Sequence, residues 1–409
     1  MIDSTSQVGQ ETQTGRYLWI ALPLVTGALL AQALSHVGLP VLYPFIQNEF
    51  GLSRAQVGLI TSAMSISLAI AVVLAGWLTD IFGVKRMITI SLVVATAFTL
   101  AFPLAYSFSV VLILAAIIAI VLSPVIPATT LAVIDWFPTR IRALAMSFKQ
   151  MGIPIAGALT AVVLPALALA IGWRMAAAVT GLLILTIAIA FILLYRDAPR
   201  GTQSAHKFNL AALKTIIRNR SLVTAILWGA MFVGFQFAVL SYFMLFAIEE
   251  LELSTIVAGG MLAIAQVSSI IARVLWGAAS DFLFGGRRIV VLAITGFLTV
   301  LWMLGASLMG AGVPSVAIYL IVIAIGISIL SFQGVFMTLI GEQAEAGQVG
   351  TTVGVAGMTV NLSRTITTPL FGYLVDTSGS YSLGWRAAAA VAFVSTLGLL
   401  VFGRERKQR

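Results

Sequence analysis

Cysteine is missing from this 409-residue chain, histidine occurs twice, and charged residues make up only 9% of it. Without cysteine there is no disulfide, no thiolate metal site and no cysteine nucleophile. The sequence also lacks a histidine–carboxylate cluster for a catalytic metal and a glycine loop before a lysine to cradle phosphate. We therefore expect no enzyme, no cofactor and no metal. The scarcity of charge excludes most. A soluble domain carries roughly 25% charged residues, whereas this chain is 60% hydrophobic with a mean hydropathy of +1.08. No soluble packing hides that much apolar surface, so its solvent is lipid. The net charge of +9 does not indicate nucleic acid, because the basic residues lie in short loops between apolar runs, where they set topology.

Apolar runs of about 20 residues, each enough to cross the hydrocarbon core, fall near 17–41, 55–79, 87–106, 109–134, 144–170 and 175–195. A polar segment, 196–220, precedes six more near 222–247, 255–279, 289–309, 314–339, 350–374 and 387–403. The predicted organisation is an N-terminal tail (1–16), a six-helix half (17–195), a linker (196–220), a second half (221–403) and a basic tail (404–409). The tail lacks the basic start of a secretory signal, so the first run is expected to be retained as a helix. Cytoplasmic termini put Lys85, Arg86, Arg140, Arg142, Arg196, Arg200, Lys207, Lys214, Arg218, Arg220, Arg287 and Arg288 inside. Only Arg54, Arg174 and Arg386 fall outside, with Glu249, Glu250 and Glu252 crowding one external loop. The expectation is a multi-pass protein of the cytoplasmic membrane, working as a monomer.

The halves repeat. GWLTDIFGVKR (76–86) follows the second run and GAASDFLFGGRR (277–288) follows the eighth. Gly76 and Gly277, Asp80 and Asp281, and Arg86 and Arg287 share one offset of about half the chain, and Gly-Trp-Arg precedes both the sixth and the twelfth run. Parallel repeats of this kind are a transporter architecture. GWLTDIFGVKR resembles the signature loop of the major facilitator superfamily, with Gly76, Leu78, Asp80, Gly83, Lys85 and Arg86 all matching; the second copy keeps Gly277, Asp281, Arg287 and Arg288. The resemblance implies an all-α membrane protein of twelve helices in two pseudo-symmetric halves. It assigns conformational gating to these residues, to which Asp135 and Arg142 at the cytoplasmic side are added. A glycine in the loop is expected to let helices 2 and 11 approach closely. Span 4 lacks the arginine common in the superfamily, and span 5 lacks the proline pattern of drug–proton antiporters, which speaks against drug efflux.

In that fold spans 3, 6, 9 and 12 face lipid, and here they contain no charge. Lys149, Arg273 and Arg364 fall instead in spans 5, 8 and 11. Gln266, Ser269 and Arg273 form one helical stripe, and Asn361, Arg364 and Thr368 another. Gly152 stands one turn from Lys149, with room for the ammonium. Lys149 is the shallowest of the three, able to reach the cytoplasmic surface or the cargo. No carboxylate lies at mid-depth to neutralise these cations, so the cavity should attract an anion. Arg273, four residues before Gly277, is placed like the span 8 arginine of monocarboxylate transporters and oxalate–formate exchangers. That resemblance implies contact with a substrate carboxylate, with Arg364 the equivalent of the exchangers' basic residue in span 11. RALAMSFKQMG (142–152) resembles the span 5 segment of nitrate transporters.

The expected function is secondary transport of a small organic anion, a mono- or dicarboxylate, by exchange or proton-coupled symport. Its substrate contacts would be Arg273, Arg364, Lys149, Gln266, Asn361 and Gln236. The aromatics Trp228, Phe232, Phe235 and Tyr242 on span 7 either shape the cavity or, as aromatics in spans more often do, pack against neighbouring helices or lipid. His36, near the outer end of span 1 where a lone histidine is more often a satisfied interfacial group than a proton relay, and Asp135 are the candidates for proton coupling. An inorganic anion, drug efflux and a non-transporting sensor remain as alternatives.

Overall fold

The computed structural model describes residues 4–137, 139–198, 216–344 and 349–405, and every regular element among them is helical. The first half contains α1 (Ser4–Gly38), α2 (Arg54–Phe82), α3 (Val84–Leu100), α4a and α4b (Phe108–Leu122, Val125–Trp136), α5a and α5b (Thr139–Gln150, Gly152–Ile171) and α6 (Trp173–Leu194). The second contains α7 (Arg220–Glu249), α8 (Thr255–Ala278), α9 (Arg288–Ala306), α10a and α10b (Ser315–Ile327, Gln333–Gln343), α11 (Val349–Ser378) and α12 (Tyr381–Phe402). Ten of the twelve spans are long and apolar enough to cross a membrane. The other two are α10, which is broken and not continuous over 314–339 as its apolar run suggests, and α11, which carries Arg364 and Asp376.

Local sequence sets the helix starts. Ser53 and Gln56 form a reciprocal capping box at the head of α2. Ser107, Asn219, Ser254 and Ser380 each accept a backbone N–H at the heads of α4a, α7, α8 and α12, meeting donors that a helix start otherwise leaves unpaired. The fourth span of each half breaks in mid-course, and free backbone carbonyls at membrane depth need partners. In α4 the break falls at Ser123–Pro124, where proline supplies no N–H, and Gln32 Nε2 reaches the Leu122 carbonyl at 3.4 Å. In α10 the Ile327 carbonyl accepts Trp276 Nε1 at 2.5 Å and the Leu330 carbonyl accepts Arg273 Nη2 at 2.8 Å.

Across the halves, α2 packs on α11 and α5b on α8, while α3 pairs with α6 and α9 with α12. The ends differ. At one, a Cβ added to Gly58 would lie 2.8 Å from Pro369 Cα, and one on Gly259 would lie 2.9 Å from Pro165 Cγ. There Arg54 Nη2 pairs with Glu249 at 2.7 Å, and the Asp376 carboxylate accepts the backbone N–H groups of Arg54 and Ala55 at 2.9 and 2.8 Å. Tyr242 and Tyr381 hydroxyls complete this seal, donating to the Arg54 carbonyl and to Glu249 at 2.8 Å each. At the opposite end the glycines of α2, α8 and α11 make no such close approach. An added Cβ at Gly76, Gly277, Gly354 or Gly357 would meet nothing within 4 Å. The close approach of α2 and α11 expected at the signature glycine thus falls at Gly58 and Gly372 instead, at the sealed end.

The repeat extends to features with no sequence motif. Asp197, after α6, accepts the Lys85 N–H at the head of α3 at 2.9 Å; Glu405, after α12, accepts the Ile289 N–H at the head of α9 at 2.6 Å. Tyr17 ties α1 to the end of α6 through the Leu194 carbonyl at 3.0 Å. Ser221 likewise ties α7 to the end of α12 through the Arg404 carbonyl at 3.1 Å.

Candidate functional site

Three cations lie inside the bundle, and each is held differently. Arg273 on α8 donates Nη2 to the Leu330 carbonyl and, at 3.4 Å, to Gln333 Oε1. Gln333 Nε2 then donates to Gln236 Oε1 at 2.9 Å, which links α8, α10b and α7 in one polar chain. Arg273 is therefore anchored by the break in α10, but its Nε is buried without a partner. Gln333 has no motif around it in sequence; what brings it to the site is the helix break.

Arg364 on α11 makes no hydrogen bond among the described residues. Its guanidinium lies over the Phe237 ring, 4.0 Å from the centroid, and its Nε is buried and unpartnered. The ring's negative face offsets part of the charge, but no acid is bonded to it. Asn361 and Thr368 flank it at helical spacing. Asn361 Nδ2 donates to the Gly357 carbonyl at 2.9 Å, while Asn361 Oδ1 and Thr368 Oγ1 are buried without partners. From the other half, His36 on α1 stands within electrostatic reach of Arg364. His36 is not the interfacial group its position suggests. Nδ1 lies 3.3 Å from the Gln32 carbonyl, and Nε2 is buried with no partner.

Lys149 does not extend to the surface. It is 2% exposed, and its Nζ donates to Thr130 Oγ1 at 2.8 Å and Thr129 Oγ1 at 3.5 Å, both on α4b. Its four-carbon stem runs inward to the paired threonines. Gly152 gives room to α1 and not to the ammonium, since an added Cβ would lie 2.7 Å from the Thr26 carbonyl oxygen and 3.0 Å from Leu30 N. Gln266, buried at 4% exposure, packs against Gly157 of α5b where the halves meet, and Ser269 Oγ turns back to the Gln266 carbonyl. The α8 stripe therefore serves the interface as much as the interior. Of the two readings for the span 7 aromatics, Trp228 and Phe232 follow the packing one. Trp228 stacks on Phe232 at 4.0 Å and meets Phe332 and Phe336 edge-on or tilted, a packing cluster between α7 and α10.

Of the signature residues, the second copy forms a network. Arg288 bonds Asp281, Ser280 Oγ at 2.8 Å and Glu342 Oε1 at 3.1 Å, which ties α8, α9 and α10b together at the open end. Gly83 adopts φ +88° between α2 and α3, a value that side chains rarely take. Lys85 contributes its backbone N–H to Asp197, and Arg287 caps α9 without a side-chain bond. Asp135 lies at the end of α4b within reach of Tyr195. The Asp80 and Arg142 side chains, and Glu345, lie outside the described residues. No group of three or more histidine or acidic residues able to hold a metal occurs among those described.

Known proteins add to this geometry. The sequence pattern of the Major Facilitator Superfamily matches residues 25–368. A hexuronate transporter of Bacillus subtilis is 25% identical over 404 residues, covering 94% of both chains. A probable sulfoacetate transporter of Cupriavidus necator is 25% identical over 402 residues, covering 90% of this chain and 89% of its own. Among solved structures, a bacterial homologue of the human lysosomal transporter Spinster, inward-facing and occupied, superposes with a TM-score of 0.77 at 18% identity, covering 94% and 96% of the two chains. A D-xylose–proton symporter gives 0.77 at 15%, covering 96% and 99%. These two likenesses are of fold alone.

Proposed function

From a chain that belongs to the major facilitator superfamily, and so is a membrane transporter and not an enzyme, we propose that the cargo is a small organic anion held between Arg273 and Arg364. The observation carrying this is the pair of interior guanidinium groups, each with a buried Nε lacking a partner and neither bonded to an acid among the described residues. A guanidinium fork meets a carboxylate with two parallel hydrogen bonds, and an uncompensated field of this sign concentrates anions. The relatives' names, hexuronate and sulfoacetate, support the same class. Lys149 sets a third positive charge at the open-end side of the same bundle.

The moving bodies are residues 17–195 and 221–403, rocking about the α2–α11 and α5b–α8 contacts. With both termini in the cytoplasm, as the basic loops favour, the sealed end is external and the structure is the inward-facing state. One chain carries the whole site, so the monomer is the transporting unit. Exchange is the favoured cycle. An empty carrier must occlude unneutralised cations in low dielectric, whereas a bound anion neutralises them, so the loaded carrier returns faster.

The test is uptake of a labelled carboxylate into proteoliposomes, with unlabelled carboxylate preloaded or absent. Preloading is expected to accelerate uptake. Arg273→Lys and Arg364→Lys, which keep charge but lose the fork, are expected to lower it by about tenfold or more. Undiminished uptake by both variants would remove the anion site from these residues. Accumulation driven by a proton gradient, indifferent to preloading, would replace exchange with symport.

A further inference from the structure

The atoms around Arg364 constrain the anion more narrowly than charge does. The carbonyl of Gln32 can only accept, so His36 Nδ1, 3.3 Å from it, carries the ring proton. In the neutral ring Nε2 then presents a lone pair, and that atom is buried with no partner. Asn361 is oriented by the same logic. Its Nδ2 donates to the Gly357 carbonyl, because a flipped amide would set oxygen against oxygen. Oδ1 is left as a second buried acceptor without a donor. One acceptor comes from α1 and the other from α11, so they belong to different halves; Asn361 stands three residues, one helical turn, before Arg364 on α11, and His36 lies within electrostatic reach of the same guanidinium.

A plain carboxylate brings only acceptor oxygens. It satisfies the guanidinium but leaves His36 Nε2 and Asn361 Oδ1 unpaired, with its own oxygens set against theirs. A hydroxyl on the same molecule supplies the missing proton donor. We propose that the cargo is a hydroxycarboxylate: its carboxylate meets Arg364, and its hydroxyl groups donate to His36 Nε2 and Asn361 Oδ1. The Phe237 ring covers one face of the guanidinium at 4.0 Å, which leaves the edge, where the N–H groups point, for the carboxylate. Because His36 and Asn361 sit on opposite halves, a hydroxylated anion draws the halves together as it binds. The relatives carry cargoes of both kinds, hexuronate and galactarate or D-glucarate with hydroxyls and sulfoacetate without, so the argument stands on the two unpaired acceptors. The inference rests on the anion reading above and narrows it.

The experiment uses matched ligands on the purified full-length protein. Lactate is compared with propionate, malate with succinate, and glucarate with adipate, each by thermal shift and by competition at one fixed pH. Erythritol serves as the uncharged hydroxyl control. The hydroxylated member of at least one pair is expected to bind about tenfold or more tightly, since a site built to pair a hydroxyl rejects the analogue that lacks it. His36→Phe and Asn361→Leu are each expected to erase most of that preference, read as the ratio of the two affinities within a pair. His36→Gln keeps an acceptor and is expected to retain much of the preference, which a merely structural histidine would not do.

Equal affinity within every pair overturns the hydroxyl inference and leaves the anion site standing. A preference that survives both apolar substitutions overturns the assignment to His36 and Asn361. Binding of no carboxylate at all, or unchanged carboxylate binding by Arg364→Ala, overturns the anion reading beneath it. The comparison within pairs on the wild-type protein needs no variant to fold.

Discussion

Removing the charge of Asp376 should open the sealed end. Its two carboxylate oxygens accept the first two backbone N–H groups of α2 at 2.9 and 2.8 Å, and Oδ1 lies 3.5 Å from Arg54 Nη1. An acid from one half thus caps a helix of the other, 322 residues away in sequence. Asp376→Asn retains one acceptor oxygen but turns an amide N–H towards a backbone N–H and removes the anion from a helix N-terminus. A hydrogen bond to a charged group contributes about 1.5–3 kcal/mol when well shielded. Side-chain exposures of 22% for Asp376 and 26% for Arg54 call for roughly halving that. The two bonds together then contribute about 2 kcal/mol to the sealed state, which is about 30-fold in the equilibrium between end-closed and end-open forms. The native chain has no cysteine, so spin labels at Leu104→Cys and Leu308→Cys, both exposed near this end, report the opening directly. In the Asp376→Asn background the longer-distance population should grow at least tenfold in pulsed-dipolar measurements. A distance distribution identical to that of the parent, from protein that still unfolds cooperatively, would show that the cap does not hold the gate.

Two further outcomes follow from packing and burial. Lys149→Met replaces a buried ammonium, held among the described residues by two threonine hydroxyls, with an apolar chain of similar length, and should raise the unfolding temperature by a few degrees; a fall would mean that the hydroxyl bonds outweigh the burial of charge. Gly229→Val would drive a side chain into the Phe336 ring and should cost about 2 kcal/mol or more, measured by thermal unfolding, with partial recovery in the Gly229→Val/Phe336→Ala double variant.

What was legible in the sequence is what lipid imposes one residue at a time. A lipid-facing span needs an apolar run, and that pattern marks all twelve spans, ten of them long and apolar enough by themselves to cross a membrane. The runs near 314–339 and 350–374 are the irregular ones, because α10 breaks over 328–332 and α11 spends helical positions on Arg364, Asp376 and a row of small polar residues. The cations at 149, 273 and 364 stood out because charge is rare at depth, yet their partners did not. Arg273 answers a carbonyl freed by a helix break 57 residues on, and Lys149 answers two threonines that any apolar run tolerates. Gln333 and Gln236 read as ordinary polar residues until the fold sets them 2.9 Å apart.

The charges at the two ends and those in the middle obey different rules, and the difference has consequences for transport. At the sealed end Arg54 and Arg174 are matched by Glu249, Asp376 and Glu49, with Arg174 Nη2 only 2.6 Å from Glu49. At the open end Arg288 is matched by Asp281 and Glu342. Pairs between the halves can break as one face opens, because water replaces the lost partner at little net cost. In the middle no such replacement is available once both faces close. Arg364 has Phe237 beneath it and no acid bonded to it among the described residues. A carrier whose gates are self-neutralising and whose centre is not can close readily around an anion and only reluctantly around nothing. That asymmetry, and not the strength of any single contact, is the physical ground for expecting exchange.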